Sequence, residues 1–185
     1  MIVMINGAFG SGKTSAAHKL NSLMPDSMIF DPEEVGYMLR NVIVDDVKLE
    51  HEKTDDFQDM ELWKVLTVQV AREIKQKYGK HLIVPMTIYK SEPFEYIHRG
   101  LREIDSELFH FTLMTSMDTL HERLLKRGDT PGGWTFKQGE KCAEAFHGSR
   151  FEEYVMTDSL TTGDVVDHIL SRLMDEHTVY KGAKC

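Results

Sequence analysis

The sequence predicts an α/β fold of three layers, with a parallel sheet of five strands between two layers of helices. Three observations predict it. Apolar runs of strand length alternate with stretches whose apolar residues recur every three to four positions. The first run leads directly into a glycine-rich loop and then a helical pattern. The polar residues with chemical potential mostly follow the strands, which in a parallel sheet gathers them along one edge.

The first strand and its loop are Ile2-Val3-Met4-Ile5-Asn6-Gly7-Ala8-Phe9-Gly10-Ser11-Gly12-Lys13-Thr14. The spacing G-x-x-x-x-G-K-[ST], with a strand before it and a helix after it, is that of a P-loop. Gly7, Gly10 and Gly12 allow the backbone to fold back so that successive N–H groups point inward at phosphate oxygens. The helix opening at Lys13 adds its positive end. The cradle comprises Gly7, Ala8, Phe9, Gly10, Ser11, Gly12, Lys13, Thr14 and Ser15, with Lys13 reaching the β- and γ-phosphates and Thr14 taking a place around Mg²⁺.

With 185 residues the chain suits one domain, 1–185, burying roughly 70% of the surface its unfolded form exposes. Twenty-two Lys and Arg against 30 Asp and Glu give a net charge of −8, so a broad duplex-binding surface is not expected and any phosphate site must be local. Cys142 and Cys185 form neither a metal-ligand spacing nor a disulfide framework, which fits a reducing cytoplasm. No charged leader, long apolar segment or membrane span is read, so a soluble cytoplasmic protein is expected.

Along the chain, Ala16, Ala17, Leu20 and Leu23 mark the buried face of the first helix, stopped by Pro25. Ser27–Phe30 reads as a short second strand. Asp31-Pro32-Glu33-Glu34 is the clearest helix start, with Asp31 as N-cap, Pro32 at the first helical position and two acids in the first turn. Val35, Met38, Leu39 and Val42 give this helix its apolar stripe. Asp31 also stands where a strand-end carboxylate could bind Mg²⁺ or orient a nucleophile, so it is both a cap and a candidate catalytic residue.

Residues 44–54 lack a clean period and read as a loop or irregular helix beside the substrate entrance. Asp55 and Asp56 open a long helix with its stripe on Met60, Trp63, Leu66, Val70 and Ile74, ended by Gly79. Trp63 is expected in the core or a groove. His81–Thr87 is the third strand, with Pro85 near its end and Thr87 a candidate polar group there. Ser91 caps a helix burying Phe94, Ile97, Leu101 and Ile104, and Leu108–Met114 is the fourth strand. On the helix begun by Ser116 or Asp118, Arg123 and Arg127 fall four apart on one face, where either a shared anion or a solvated basic face explains them; Gly128 ends it.

Asp129-Thr130-Pro131-Gly132-Gly133-Trp134 is the most turn-dense segment, followed by a helix with Cys142, Ala143 and Phe146, and then by Arg150. The region from about 123 to 150 therefore reads as a closing lid, hinged on Gly-Gly and able to exclude water over phosphates. The fifth strand lies near Glu153–Met156, with Thr157-Asp158-Ser159 at its end. Thr161 or Thr162 caps a last helix burying Val165, Val166, Ile169 and Leu173, and a short polar tail, 177–185, carries no amphipathic stripe.

Several blocks together resemble the tunicamycin-resistance ATP-binding proteins: Ile5–Thr14, Asp31-Pro32-Glu33, Leu39-Arg40, Asp55-Asp56-Phe57-Gln58, Leu82-Ile83-Val84-Pro85-Met86-Thr87-Ile88 and His110-Phe111-Thr112-Leu113-Met114. The resemblance runs in order over about residues 1–175. More broadly the layout is similar to small P-loop kinases of the nucleoside, shikimate and antibiotic-phosphotransferase kind. This resemblance implies strand order 2-3-1-4-5, an adenine site near the last strand and helix, a lid holding arginines, and a nucleoside-sugar-lipid antibiotic as ligand.

The expected activity is phosphoryl transfer from MgATP to a hydroxyl of tunicamycin or a nucleoside-like small molecule. In it Asp31 orients or deprotonates the acceptor or holds Mg²⁺ through water, Arg123, Arg127 and Arg150 balance moving charge, and Glu33, Arg40 and Thr87 contact the acceptor. The alternative is ATP-dependent sequestration of the antibiotic without covalent change. A GTP-driven switch is not expected, because no Asn-Lys-x-Asp guanine-reading motif and no Asp-x-x-Gly switch segment is read. No nucleic acid partner or stable membrane association is expected.

Overall fold

The computed structural model describes residues 1–148, 151 and 153–182, with side chains described as far as residue 175. Strand β1 (Ile2–Gly7) is apolar on both faces, as a central parallel strand must be. Its alternation sorts the helices. Ile2 and Met4 join the apolar cluster on one face of the sheet, while Val3 and Ile5 join the other.

Helix α1 (Lys13–Leu23) and the final helix α7 (Thr162–Gly182) lie together on the second face, burying Ala16, Ala17 and Leu20 against Val165, Val166, Ile169 and Leu173. The first face carries α2 (Pro32–Val42), α3 (Glu61–Tyr78), α4 (Ser91–Ile104), α5 (Met117–Arg127) and α6 (Trp134–Ala145), whose apolar residues form one continuous cluster. Between these helices run β2 (Ser27–Ile29), β3 (His81–Met86), β4 (Leu108–Met114) and β5 (Tyr154–Met156). The sheet is wholly parallel in the order β2-β3-β1-β4-β5. The expected three-layer architecture and strand order are therefore both present. With β1 at the centre, the loop after it emerges in the middle of the carboxyl edge, where such sheets bind ligands.

Several local expectations need correction. Leu23, Met38 and Val42 are exposed, at 51%, 45% and 72%. Leu23 is the last residue of α1, whose buried face ends at Leu20, and α2 turns Val35, Gly36 and Leu39 inward instead. Gly36 is required there, because a Cβ at this position would come within 2.5 Å of the Phe57 ring. Asp55 and Asp56 do not open α3. Asp56 caps a short 3-10 turn, Phe57–Asp59, by accepting from the Gln58 N–H at 3.0 Å, and α3 begins only at Glu61. Residues 44–54, read as a loop or irregular helix, hold two further such turns, Asp45–Val47 and Glu50–Glu52. Lys90, not Ser91, occupies the N-cap position of α4, and no side chain caps that end.

Helix α7 runs on to Gly182 through most of the stretch read as a polar tail, since no proline or glycine lies between Gly163 and Gly182 to stop it. Thr161 and Asp164 cap its start reciprocally: Asp164 Oδ2 accepts from the Thr161 N–H at 2.7 Å, and Thr161 Oγ1 from the Asp164 N–H at 3.2 Å. Among the described residues no helix is long and apolar enough to cross a membrane.

Candidate active site

The loop after β1 has the backbone of a phosphate cradle. Gly10 and Gly12 take φ of 88° and 96°, a left-handed region that a side chain would strain, and Gly12 leads straight into α1. Asn6 anchors the cradle to the neighbouring strand end. Its amide donates to the Ile88 carbonyl at 2.9 Å, and its Oδ1 accepts from the N–H groups of Gly7 and Ile88 at 2.9 and 3.0 Å. Thr87 adds a hydroxyl donated to the Gly7 carbonyl at 3.0 Å.

Gly10, Ser11, Gly12, Lys13, Thr14 and Ser15 line a cavity of about 650 Å³ that extends to Arg123, Arg127, Thr157 and the start of α7. The Ser11 hydroxyl is buried without a partner, and the exposed Thr14 opens on the same space. A free buried donor, two left-handed glycines and a lysine at a helix start fit the phosphates of a nucleotide, with Thr14 as a hydroxyl ligand for Mg²⁺. Leu160 and Val165 add apolar wall to the same cavity. Gly7, Ala8 and Phe9 sit behind the cradle. Ala8 offers its carbonyl to the Ser11 N–H at 3.1 Å and to Lys13 Nζ at 3.5 Å.

Lys13 is 8% exposed, and its ammonium lies 5.1 Å from the Phe9 ring centroid. Burial pulls its pKa below the ordinary lysine range, opposed by the attraction of Glu33, Cys142 and Asp31. The carboxyls of Asp31 and Glu33 are both raised, first by burial; Asp31 is lowered in part by the hydrogen bond from the Glu33 N–H, and Glu33 in part by Lys13. Asp31 Oδ1 accepts that hydrogen bond at 2.9 Å, so the predicted cap is present and one oxygen is committed to it.

Glu33, Arg40 and Thr87 meet in a second, narrower cavity of about 100 Å³. Its walls include Phe9, Tyr37, Phe57, Trp63, Tyr89 and Trp134, with the amides of Gln58 and Gln138 among them. Trp63 is both core and groove residue, as expected: it is 3% exposed and its indole N–H donates to the Pro32 carbonyl at 2.9 Å. Gln58 Oε1 fixes the β3–α4 connection by accepting from the N–H groups of Tyr89 and Lys90, each at 3.0 Å. Sequence reasoning missed Asn6, Gln58, Tyr89 and the cavity role of Trp134. Asn6 alone left a local signal, as an amide on an otherwise apolar strand.

Arg123 and Arg127 both reach the phosphate cavity but do not act as a pair. Arg123 donates to the Thr157 carbonyl at 2.7 Å, to Thr157 Oγ1 at 3.0 Å and to the Ser11 carbonyl at 3.3 Å, tying the cradle to the end of β5. Arg127 pairs with Asp129 at 2.6 Å. Thr157 is thus a positioning residue, while Asp158 accepts from the Ser116 N–H at 2.8 Å and braces the start of α5. Arg150 lies outside the described residues. Asp129-Thr130-Pro131-Gly132 has the Asp-x-x-Gly spacing of a nucleotide switch segment, but it forms the α5–α6 turn, away from the strand end such a segment occupies. Burial pushes the Cys142 thiol up to about 12.

The sheet order, the cradle and the flanking cavities define a P-loop fold of the small-molecule-kinase kind. Among solved structures, the tunicamycin resistance protein of Deinococcus radiodurans matches with a TM-score of 0.74 and 26% identity, over 93% of this chain and 94% of that one. The resemblance read from the sequence therefore extends to the three-dimensional fold. A gluconokinase from Sinorhizobium meliloti (TM-score 0.68, 15% identity, 99% and 97% covered) and shikimate kinase from Acinetobacter baumannii (TM-score 0.63, 11% identity, 95% and 93% covered) share the fold. No protein-family model and no curated protein matches the chain.

Proposed function

We propose that this protein transfers the γ-phosphoryl group of MgATP to a hydroxyl of a small molecule, tunicamycin or a nucleoside-like relative being the acceptor to which the family resemblance points. The observation that carries this reading is the place of Lys13. It stands in the wall of the phosphate cavity and is at the same time within electrostatic reach of Glu33 and Asp31, beside the second cavity. Donor phosphates and acceptor hydroxyl would meet there.

In this reading residues 10–15 hold the phosphates, with Lys13 on the transferring group and Thr14 on Mg²⁺, and Gly7, Ala8 and Phe9 back them. When bound there, Mg²⁺ would supply charge neutralisation on the phosphates. Asp31, whose carboxyl pKa is raised by burial so that its carboxylate is the stronger base, takes the acceptor hydroxyl's proton as the acceptor oxygen bonds the γ-phosphorus and the bond from that phosphorus to the bridging oxygen breaks to release ADP, or holds Mg²⁺ through water. Glu33, Arg40 and Thr87 position the acceptor. Arg127, and Arg150 after it, offset charge on the leaving oxygens, while Arg123 acts by holding the cradle. The stretch from about 123 to 150, whose last two residues lie outside the described ones, is taken as a lid hinged at Gly132-Gly133. The work is placed in the cytoplasm, where MgATP is supplied.

Incubation of the pure protein with MgATP and tunicamycin, followed by mass spectrometry of the antibiotic, tests the proposal, with nucleosides and aminoglycosides as further acceptors. A phosphorylated product is expected. A second reading, nucleotide-dependent sequestration, is favoured by the aromatic walls of the narrow cavity. Tight binding of an acceptor that emerges unmodified would establish it and exclude transfer.

A further inference from the structure

Arg127, the last residue of α5, lines the phosphate cavity with its side chain 55% exposed. It lies within electrostatic reach of both Lys13 and Glu33, which sets it at the transferring end of the phosphates. Arg123, one turn earlier on the same face, commits its guanidinium to the protein, donating to Thr157 and to the Ser11 carbonyl. Arg127 commits one atom. Its Nε donates to Asp129 Oδ2 at 2.6 Å, and among the described residues nothing else accepts from the guanidinium. The two terminal nitrogens keep their N–H groups, which form a planar fork suited to a phosphate. A carboxylate competing for that fork would grip it with two oxygens on two nitrogens; here one oxygen holds Nε and leaves the fork open.

Asp129 is in turn fixed by the backbone around it. Gly128, at a φ of 93°, ends α5 with its N–H on the Leu125 carbonyl at 2.9 Å, and the Asp129 N–H follows on the Leu124 carbonyl at 3.1 Å. Thr130–Gly133 closes as a tight turn through the Gly133 N–H and the Thr130 carbonyl, 2.9 Å apart. The Asp129 carboxylate bridges this turn, since the Thr135 side chain in the first turn of α6 hydrogen-bonds it as well. The hydrogen bond from Arg127, aided by Thr135 and opposed by burial, holds its carboxyl below the ordinary carboxylate range. Trp134, beside Thr135, rests on Phe9 of the phosphate loop, so both ends of the connection meet the cradle.

We infer that Asp129 is a positioning residue of the phosphate site: by holding Nε of Arg127 from the start of the α5–α6 turn, it keeps the free fork of that side chain set for the transferring phosphoryl group. This rests on the reading of the cavity as a nucleotide site. It adds that the Arg127–Asp129 pair is part of the site's preorganisation, so that less side-chain freedom is lost when the phosphate arrives.

Calorimetry in the presence of Mg²⁺ measures the affinity for ADP and for a non-hydrolysable ATP analogue, and the ratio of the two isolates the transferring phosphate. Asp129→Ala should weaken the analogue about 2- to 10-fold, the cost of ordering one long side chain on binding, with ADP affinity changed less than about twofold. Asp129→Asn, which keeps an oxygen for Nε without the charge, should hold the analogue within about twofold of wild type. Arg127→Gln should lose about 10-fold or more, and Asp129→Ala added to it should cost less than about twofold further. Tighter or unchanged analogue binding by Asp129→Ala, an equal loss for ADP, or the same loss in the Arg127→Gln background overturns the inference. Wild type that binds neither nucleotide overturns it together with the nucleotide-site reading. The expected pattern without a phosphorylated product from any acceptor would retain the inference and sink phosphoryl transfer.

Discussion

The ring of Phe9 and the indole of Trp134 meet edge to face, 5.5 Å between centroids, so the phosphate loop and the first residue of α6 form one wall of the narrow cavity. Phe9 at the same time faces the Lys13 ammonium, which links acceptor wall and donor loop through one side chain. Removing the indole should therefore weaken the acceptor more than the nucleotide. Trp134→Ala is expected to raise the acceptor's KM about tenfold, the worth of one aromatic contact, with the Kd for MgATP changing less than about threefold. Steady-state kinetics beside nucleotide titration would show it.

Lys13 is held as a buried ammonium whose pKa burial has lowered, so in the ligand-free fold its charge is a cost. Lys13→Met should leave the ligand-free protein no less heat-stable than wild type. The gain on adding nucleotide should vanish. For wild type at a hundred times Kd that gain is about 2.7 kcal/mol, or roughly 5–10 °C in Tm. A variant that kept a normal MgATP-induced rise in Tm would show that Lys13 does not hold the phosphates.

Asp31 and Glu33 have raised carboxyl pKa values, burial being the first cause in each. Such groups favour the fold fully below the unfolded carboxylate pKa, and that contribution is lost as pH rises through the folded value. Asp31→Asn and Glu33→Gln should accordingly raise the Tm of the ligand-free protein at pH 7, by about 2–4 °C for each kcal/mol relieved. Asparagine still caps a helix, so α2 keeps its start. Asp31→Asn should retain ATP affinity and lose phosphoryl transfer. Near-normal turnover by this variant would remove Asp31 from catalysis.

At the opposite edge of the sheet the sign is reversed. Burial raises the Asp105 carboxyl, but hydrogen bonds from the Met1 ammonium and Lys75 outweigh it and hold it at about 2. Both contacts are 2.9 Å. Its contribution is present above the unfolded carboxylate pKa, near 4, and disappears as pH falls through about 2. Asp105→Asn should lower stability at pH 7 by about 1 kcal/mol, a modest figure because the side chain keeps some solvent contact. Urea midpoints of variant and wild type should converge at the acid end of that window.

The parts of the site legible in the sequence are those whose physics is local. The glycines that fold the cradle, Lys13 at a helix start, and Asp31 as a cap followed by Pro32 each depend on residues within a turn of one another. Chain order and apolar period likewise determined the alternating elements and hence the parallel sheet, and the quoted blocks pointed to a tunicamycin-resistance-like P-loop protein. What pairs across the fold was not legible. The spacing of Arg123 and Arg127 placed both on one helix face, yet only packing decided that Arg123 spends its donors on Thr157 and Ser11 while Arg127 turns to Asp129.

The narrow cavity shows the same division. Phe9, Arg40, Phe57, Tyr89 and Trp134 are scattered along the sequence and carry no common period. They meet because Gly36 admits the Phe57 ring against α2, Gln58 holds the turn after β3, and α6 returns its first residue to the phosphate loop. By itself the sequence determined the sheet, the phosphate cradle and the carboxylate at the next strand end, because backbone dihedrals, caps and periodicity act between near neighbours. The tertiary structure alone decided which charges are paired and with which partners, as Arg123 with Thr157 and Arg127 with Asp129, because burial and ion pairing depend on residues that only folding brings together.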